Sequence, residues 1–157
     1  MSTPAVLPTL HLIDIENLHG ACPRGAIDVG RAKALLECYD SIVLAAAGDH
    51  RIVGCNPGIG LEVGLAIGGG RLVVRGGPDG ADHALIDSID LDHLARRYRR
   101  VVIGSGDHIF VPTVLGLLAR AVPVEIVARP GGTSAALRLT GVPVRPFVEA
   151  SQLPLSA

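Results

Sequence analysis

Short aliphatic runs alternate along this chain with longer stretches whose apolar residues recur at helical spacing. The run Leu10-His11-Leu12-Ile13-Asp14-Ile15 predicts a first strand, and residues 20–25 a loop. Asp28 is placed to cap a helix to about residue 40, with Val29, Ala32, Leu35 and Leu36 on its buried side. Ser41-Ile42-Val43-Leu44-Ala45-Ala46 reads as a second, buried strand, and residues 57–67 as a short helix weakened by glycine. Gly68-Gly69-Gly70 ends that helix, and Arg71-Leu72-Val73-Val74 gives a third strand. The loop Gly76-Gly77-Pro78-Asp79-Gly80 leads into a helix expected over residues 81–97. Val101-Val102-Ile103-Gly104 is a fourth strand, followed by Ser105-Gly106-Asp107 and a helix to about residue 121. Val124-Glu125-Ile126-Val127 is a fifth strand, residues 134–139 a turn or two of helix, and residues 142–147 an edge strand carrying Pro143 and Pro146.

Strands that alternate with helices imply right-handed crossovers and a mostly parallel sheet of five or six strands between helical layers. A length of 157 residues suits one such domain, expected over residues 1–150, with a loose tail at 151–157. The core it can build is almost wholly aliphatic: 48% of the chain is hydrophobic but only 3% aromatic, which fits strands covered on both faces. A formal charge of −1 argues neither for nor against a nucleic-acid partner, which would have to be held by a local basic patch. The start of the chain lacks a basic, long apolar leader, and no run of about 18 apolar residues follows. A cytoplasmic location and no membrane contact are therefore expected. Cys22, Cys38 and Cys55 form neither a C-x-x-C pair nor a disulfide framework, which agrees with a reducing compartment.

Ligands of parallel sheets bind beyond the carboxyl ends of the strands, and that is where this sequence puts its acids. Asp14 lies at the end of the first strand. Asp107 follows the fourth, at a helix start where a carboxylate is favoured in any case. Asp82 opens the third long helix and shares a face with Leu85, Ile86 and Ile89, so it points toward the sheet and calls for a partner. Each acid alone has an ordinary reading as a strand-end or helix cap. Together they occupy equivalent places, and neighbouring strands would bring Asp14 and Asp107 to about 5 Å from each other. Carboxylates that close raise one another's pKa unless a cation neutralises them, and oxygen-only ligation suits Mg2+ or Mn2+. Asp87 is turned about 140° from Asp82 around the helix and reads as a solvated residue with Asp90 and Asp92.

Three segments in order resemble the NYN branch of the PIN-like nuclease superfamily. They are Leu12-Ile13-Asp14-Ile15-Glu16-Asn17-Leu18, similar to a D-x-x-N opening; Gly80-Ala81-Asp82-His83, similar to an acidic helix start; and Ser105-Gly106-Asp107-His108-Ile109-Phe110, similar to an S-x-D-x-D-F segment. The likeness spans roughly residues 9–147. It implies a three-layer PIN-like fold, dependence on Mg2+ or Mn2+, and endonucleolytic cleavage of RNA. Asp14, Asp82 and Asp107 would be the catalytic metal ligands, and Asn17 and Ser105 supporting residues. Two positions depart from the pattern. Ile109 stands where the second acid of the last segment belongs, and Asp79 where a basic or amidic residue is frequent. Asp79, Asp87 or a substrate phosphate would then complete the coordination.

RNA would need cations near the acidic mouth. Arg51, expected after the second strand, Arg75 after the third and Arg129 after the fifth are the candidates, with His108 as a donor to phosphate or to a leaving group. The scarcity of aromatics argues against reading of single strands by stacking. A second reading is a catalytically degenerate domain that binds RNA or a protein partner, since Ile109 and the sparse cations weaken the case for cleavage. Phosphotransfer on a similar sheet ranks lower, because Glu16 stands where a second nucleophile-proximal Asp would be needed and Lys33 is the sole lysine. By analogy with other PIN-like domains the chain could pair as a homodimer.

Overall fold

The computed structural model describes residues 6–20 and 26–152. Strands β1 (Thr9–Asp14), β2 (His50–Cys55), β3 (Arg71–Val74), β4 (Arg100–Gly104), β5 (Val124–Ala128) and β6 (Val144–Pro146) form one sheet in the order β3-β2-β1-β4-β5-β6. Every pairing is parallel. The chain winds outward from β1 to β3, then crosses back and winds outward from β4 to β6. The reversal falls between β1 and β4, where the crossovers leave in opposite directions and open a crevice at the carboxyl ends.

The side-chain alternation of β1 assigns its residues to two cores. Leu10 and Leu12 face a core shared with Val101, Ile103, Ile126 and the helices α4 (Gly80–Asp87), α5 (Leu91–Arg97), α6 (Val111–Leu118) and α7 (Ala135–Leu139). Ile13 faces the other way, toward α1 (Ile15–His19), α2 (Val29–Val43) and α3 (Gly60–Ala66). The result is a three-layer α/β/α, Rossmann-like arrangement, with the sheet fully parallel rather than mostly so. Asp14 falls on the even side of β1 and therefore points toward the α4 layer.

Two elements differ from the sequence reading. The apolar run 41–46 is not a strand: α2 continues to Val43 and ends at Leu44, which takes a left-handed conformation and is largely exposed. The second strand lies instead at His50–Cys55, where a polar start hides it. His50 and Arg51 lack a neighbour on one side because β3 begins opposite Ile52. The expected helix 81–97 is broken at Ser88-Ile89-Asp90. Ser88 folds its hydroxyl onto the Leu85 carbonyl, and the Asp90 carboxylate accepts from the His93 N–H to start α5. At the far end, Ala150–Gln152 forms a 3-10 turn that takes in the first two residues of the expected tail. The expected 20–25 loop with Cys22, and the tail beyond 152, lie outside the described residues, apart from Gly20, which ends α1.

Gly54 fixes how closely α4 approaches the sheet. A Cβ on it would stand 2.8 Å from Leu85 Cγ and 2.9 Å from the Ala81 carbonyl oxygen. Gly54→Ala is expected to push α4 off β2 and lower stability by about 1–3 kcal/mol. It should also displace Asp82, one residue from the contact. Equilibrium urea unfolding checks the first effect; a midpoint equal to that of the parent protein would show that the helix has room to move.

Candidate metal centre

Asp14 terminates β1 because its own side chain stops the strand. One carboxylate oxygen accepts from the backbone N–H groups of Glu16 (3.1 Å) and Asn17 (3.2 Å), capping α1. The residue is 6% exposed. Asp82, in the first turn of α4, is 5% exposed and lies within hydrogen-bonding reach of Asp14. Two carboxyl groups can make that contact only by sharing a proton. Asp82 Oδ1 is buried and has no hydrogen-bond partner.

Asp107 arrives from β4. Its carboxylate accepts from the Ile109 N–H at 2.9 Å, capping a 3-10 turn at His108–Phe110, and its own N–H donates to Ser105 Oγ at 3.3 Å. Asn17 ties the two strand ends together, for its side-chain oxygen accepts the Gly106 N–H at 3.1 Å. Gly106 has no room for a side chain, since the Gly132 carbonyl lies against it. The loop that carries Asp107 is thus held from both sides.

Asp79, Asp82 and Asp107 each bring one carboxylate oxygen within 4.8 Å of the others, an arrangement that could hold a metal ion. An ion with bonds of about 2.1 Å places opposed ligands about 4.2 Å apart, and one with bonds of about 2.4 Å about 4.8 Å apart. Adjacent ligands of one ion stand closer than opposed ones, about 3 Å apart, so three oxygens within 4.8 Å of one another would take up one hard divalent cation after a small inward movement of the side chains. The donor set is oxygen only, which suits Mg2+, Mn2+ or Ca2+ rather than zinc. The orphaned Oδ1 of Asp82 supplies a lone pair with no other taker.

The electrostatics carry the same message. Burial above all, then the charges of Asp14, Asp107 and Asp79, push the Asp82 carboxyl up to about 8. Burial also raises Asp14, against the opposing pull of its contacts with Asp82 and the α1 backbone. Without a cation this end of the sheet keeps a proton that free carboxylates would have lost.

The remaining candidates are dispersed. Ser105 is fully buried and orients the Asp107 backbone, and His108 is largely exposed with Nδ1 3.0 Å from the Asp107 carboxylate. Asp87 is not in the cluster: it pairs at 2.8 Å with Arg75, so each occupies the other on the outer side of α4. Arg51 does not reach the mouth. Because β2 starts at His50, Arg51 sits at the amino end of the sheet, where it holds Asp40 at 2.8 Å. Arg129 does follow β5, but it pairs with Glu149 at 2.9 Å and lies over the Phe147 ring. A cavity of 840 Å³ also lies at the amino ends, lined by Asp40, His50, Arg51, Arg71 and Tyr98 among others, and includes none of the four acids.

Two groupings escaped the sequence reading. Glu16 accepts from both the backbone and the side-chain amide of Asn56, fastening the end of β1 to the end of β2. The register that pairs Asp14 with Gly54 sets Glu16 opposite Asn56, so a correctly placed β2 was the missing signal. Glu149, held by Arg31 and Arg129, has its carboxyl lowered to about 2 by those two guanidinium groups against the cost of burial, and clamps the end of the described chain over α2 and β5. Cys55 lies beside the acids, but burial and the charges of Glu16, Asp14 and Glu62 push its thiol up to about 11, leaving it unreactive.

No family model, curated protein or solved structure matches the chain. Among the described residues no helix is long and apolar enough to cross a membrane.

Proposed function

We propose that the chain is a metal-dependent endoribonuclease of the NYN, PIN-like kind, with Asp14, Asp82 and Asp107 at the centre of the metal site. The observation that carries this reading is Asp82: a carboxylate 95% buried, beside a second buried carboxylate, with one oxygen left without a partner. Such an arrangement is costly unless a cation joins it.

The residues have separable parts. Asp82 and Asp107 offer oxygens to the ion, while Asp14 supports Asp82 and keeps one oxygen on the start of α1. Asn17 and Ser105 hold the strand ends in place through the Gly106 and Asp107 N–H groups. His108 is exposed at the rim, where it can donate to a phosphate oxygen or to the departing hydroxyl. A bound Mg2+ or Mn2+ supplies Lewis acidity toward phosphate and lowers the pKa of a coordinated water. Arg75 is the one proposed RNA-binding arginine that stays near the mouth with its side chain half exposed.

A second reading has a specific observation behind it. Of the three arginines expected to hold RNA, Arg51 is at the wrong end, Arg75 pairs with Asp87 and Arg129 with Glu149. A domain that binds a divalent ion and a protein partner without cleaving would need no free cations at the mouth, whereas an RNA partner would need them as much as a nuclease does. Incubating the purified chain with a mixed-sequence, end-labelled RNA and Mn2+ separates the two. The nuclease reading expects internal cleavage that EDTA abolishes and that falls at least 100-fold in Asp14→Asn, Asp82→Asn and Asp107→Asn. Ion binding without cleavage leaves the second reading standing, and cleavage retained in all three variants overturns the first.

A further inference from the structure

Resting on the reading that these acids hold a divalent ion, we propose that Asp79 is an ion ligand carried by the glycine-rich loop between β3 and α4, supplying the oxygen that Ile109 cannot.

Asp79 stands at the N-cap position of α4, yet its side chain makes no capping hydrogen bond. Aspartate at this position ordinarily turns its carboxylate onto the first free N–H groups of the helix. Here the carboxylate is directed toward Asp82 and Asp107 instead, which repel it unless a cation lies between them. The backbone is unusual as well: φ is +53°, in the left-handed region that favours glycine. Glycines stand at 76, 77 and 80 in the same loop, but an acid occupies this one position.

An independent observation points to the ligand. Asp82, 95% buried, presents an unpartnered Oδ1 within the cluster that Asp79 completes. Nor is there a competing cation. The nearby Arg75 is taken up by Asp87, and no basic side chain pairs with Asp79 among the described residues. A helix cap that does not cap, in a conformation another residue would hold more easily, beside a buried lone pair, is accounted for by an ion.

The test measures ion binding and stability, not cleavage. Mn2+ alone is titrated into the full chain by calorimetry, and melting temperatures are recorded without metal. Asp79→Asn and Asp79→Gly should each weaken Mn2+ binding at least 10-fold. Asp79→Gly should leave the metal-free melting temperature unchanged or raise it by about 2–4 °C, since glycine accepts the left-handed backbone. Binding within twofold of the parent in both variants, while Asp82→Asn loses it, overturns the role of Asp79 and leaves the metal centre intact. A fall in affinity together with a lower metal-free melting temperature in both variants assigns Asp79 to holding the loop and also overturns the proposal. Failure of the parent chain to bind Mn2+ at millimolar concentration removes this inference and the metal centre together.

Discussion

Asp82→Asn is expected to make the metal-free protein more stable and at the same time to abolish its response to divalent ions. The stabilisation follows from what the substitution removes. At neutral to alkaline pH the parent buries two adjoining carboxyl groups, and the one on Asp82 is held to a pKa of about 8 mainly by burial and by Asp14. An asparagine amide keeps the shape and donates to the Asp14 carboxylate without the proton that the parent must hold, and the unfolded chain has released, to make the same contact. The gain is on the order of 2–3 kcal/mol, which raises the melting temperature at pH 8 by about 5–10 °C for a chain of this size. Ion-induced stabilisation runs the other way. Mn2+ at a hundred times its dissociation constant stabilises a binding-competent protein by about 2.7 kcal/mol, and the variant should show none of this. Melting curves of both proteins with and without Mn2+ decide the matter. A variant less stable than the parent in EDTA at pH 8 would mean that Asp82 serves packing and not ion capture.

The second large effect is on pH. The folded-state pKa of Asp82 is raised above its unfolded value, so between about pH 4 and 8 the folded chain holds a proton that the unfolded chain has released. Stability must then fall as pH rises through that window and level off above it. The interval from 6.5 to 8 reports the Asp14–Asp82 pair, since burial raises Asp14 as well. Below it, His11, whose pKa is lowered by burial, contributes with the opposite sign, because the unfolded chain takes up a proton that the folded one refuses. Glu149, held low by Arg31 and Arg129, loses its contribution only in acid, as pH falls below its ordinary value toward about 2. Across the chosen interval the slope of about 1.36 kcal/mol per pH unit gives a loss of roughly 2 kcal/mol, or about 4–8 °C in melting temperature. Mn2+ should cancel this loss at pH 8 and release protons on binding, visible as a heat that depends on the buffer. A melting temperature flat from 6.5 to 8 in EDTA would show that Asp82 is ionised without help.

The layout of the fold was legible where burial on both faces leaves an aliphatic run, as in β4 and, interrupted only by Glu125, in β5, and where a carboxylate ends the run, as in β1. It was misread where tertiary context overrides composition. Ile42 and Val43 look like strand, but they are the last turn of α2 and pack beneath the sheet from outside it. His50 and Arg51 look like a turn, but they are strand because β1 pairs with them. That offset of nine residues moved Arg51 from the amino end of the sheet to the mouth and concealed the Glu16–Asn56 contact. The acids were easier, since a carboxylate at the end of a strand or on the inner face of a helix conflicts with its surroundings wherever the exact boundary falls. Their convergence depends on β1 and β4 being neighbours, which the sequence reading took as a condition and the sheet order satisfies. The relevance of Asp79 comes from a backbone conformation that no periodicity reveals.

The two margins of the sheet differ in what they can accept. β6 is three residues long, ends in Pro146 and follows Pro143, so an incoming chain finds few donors there. β3 has no proline, its side chains are all at least partly exposed, and Leu61 and Leu65 of α3 are open to solvent nearby. Strand addition from a half-folded copy therefore has one hospitable side, and a charge introduced at Val74 is the economical way to keep concentrated preparations from clumping.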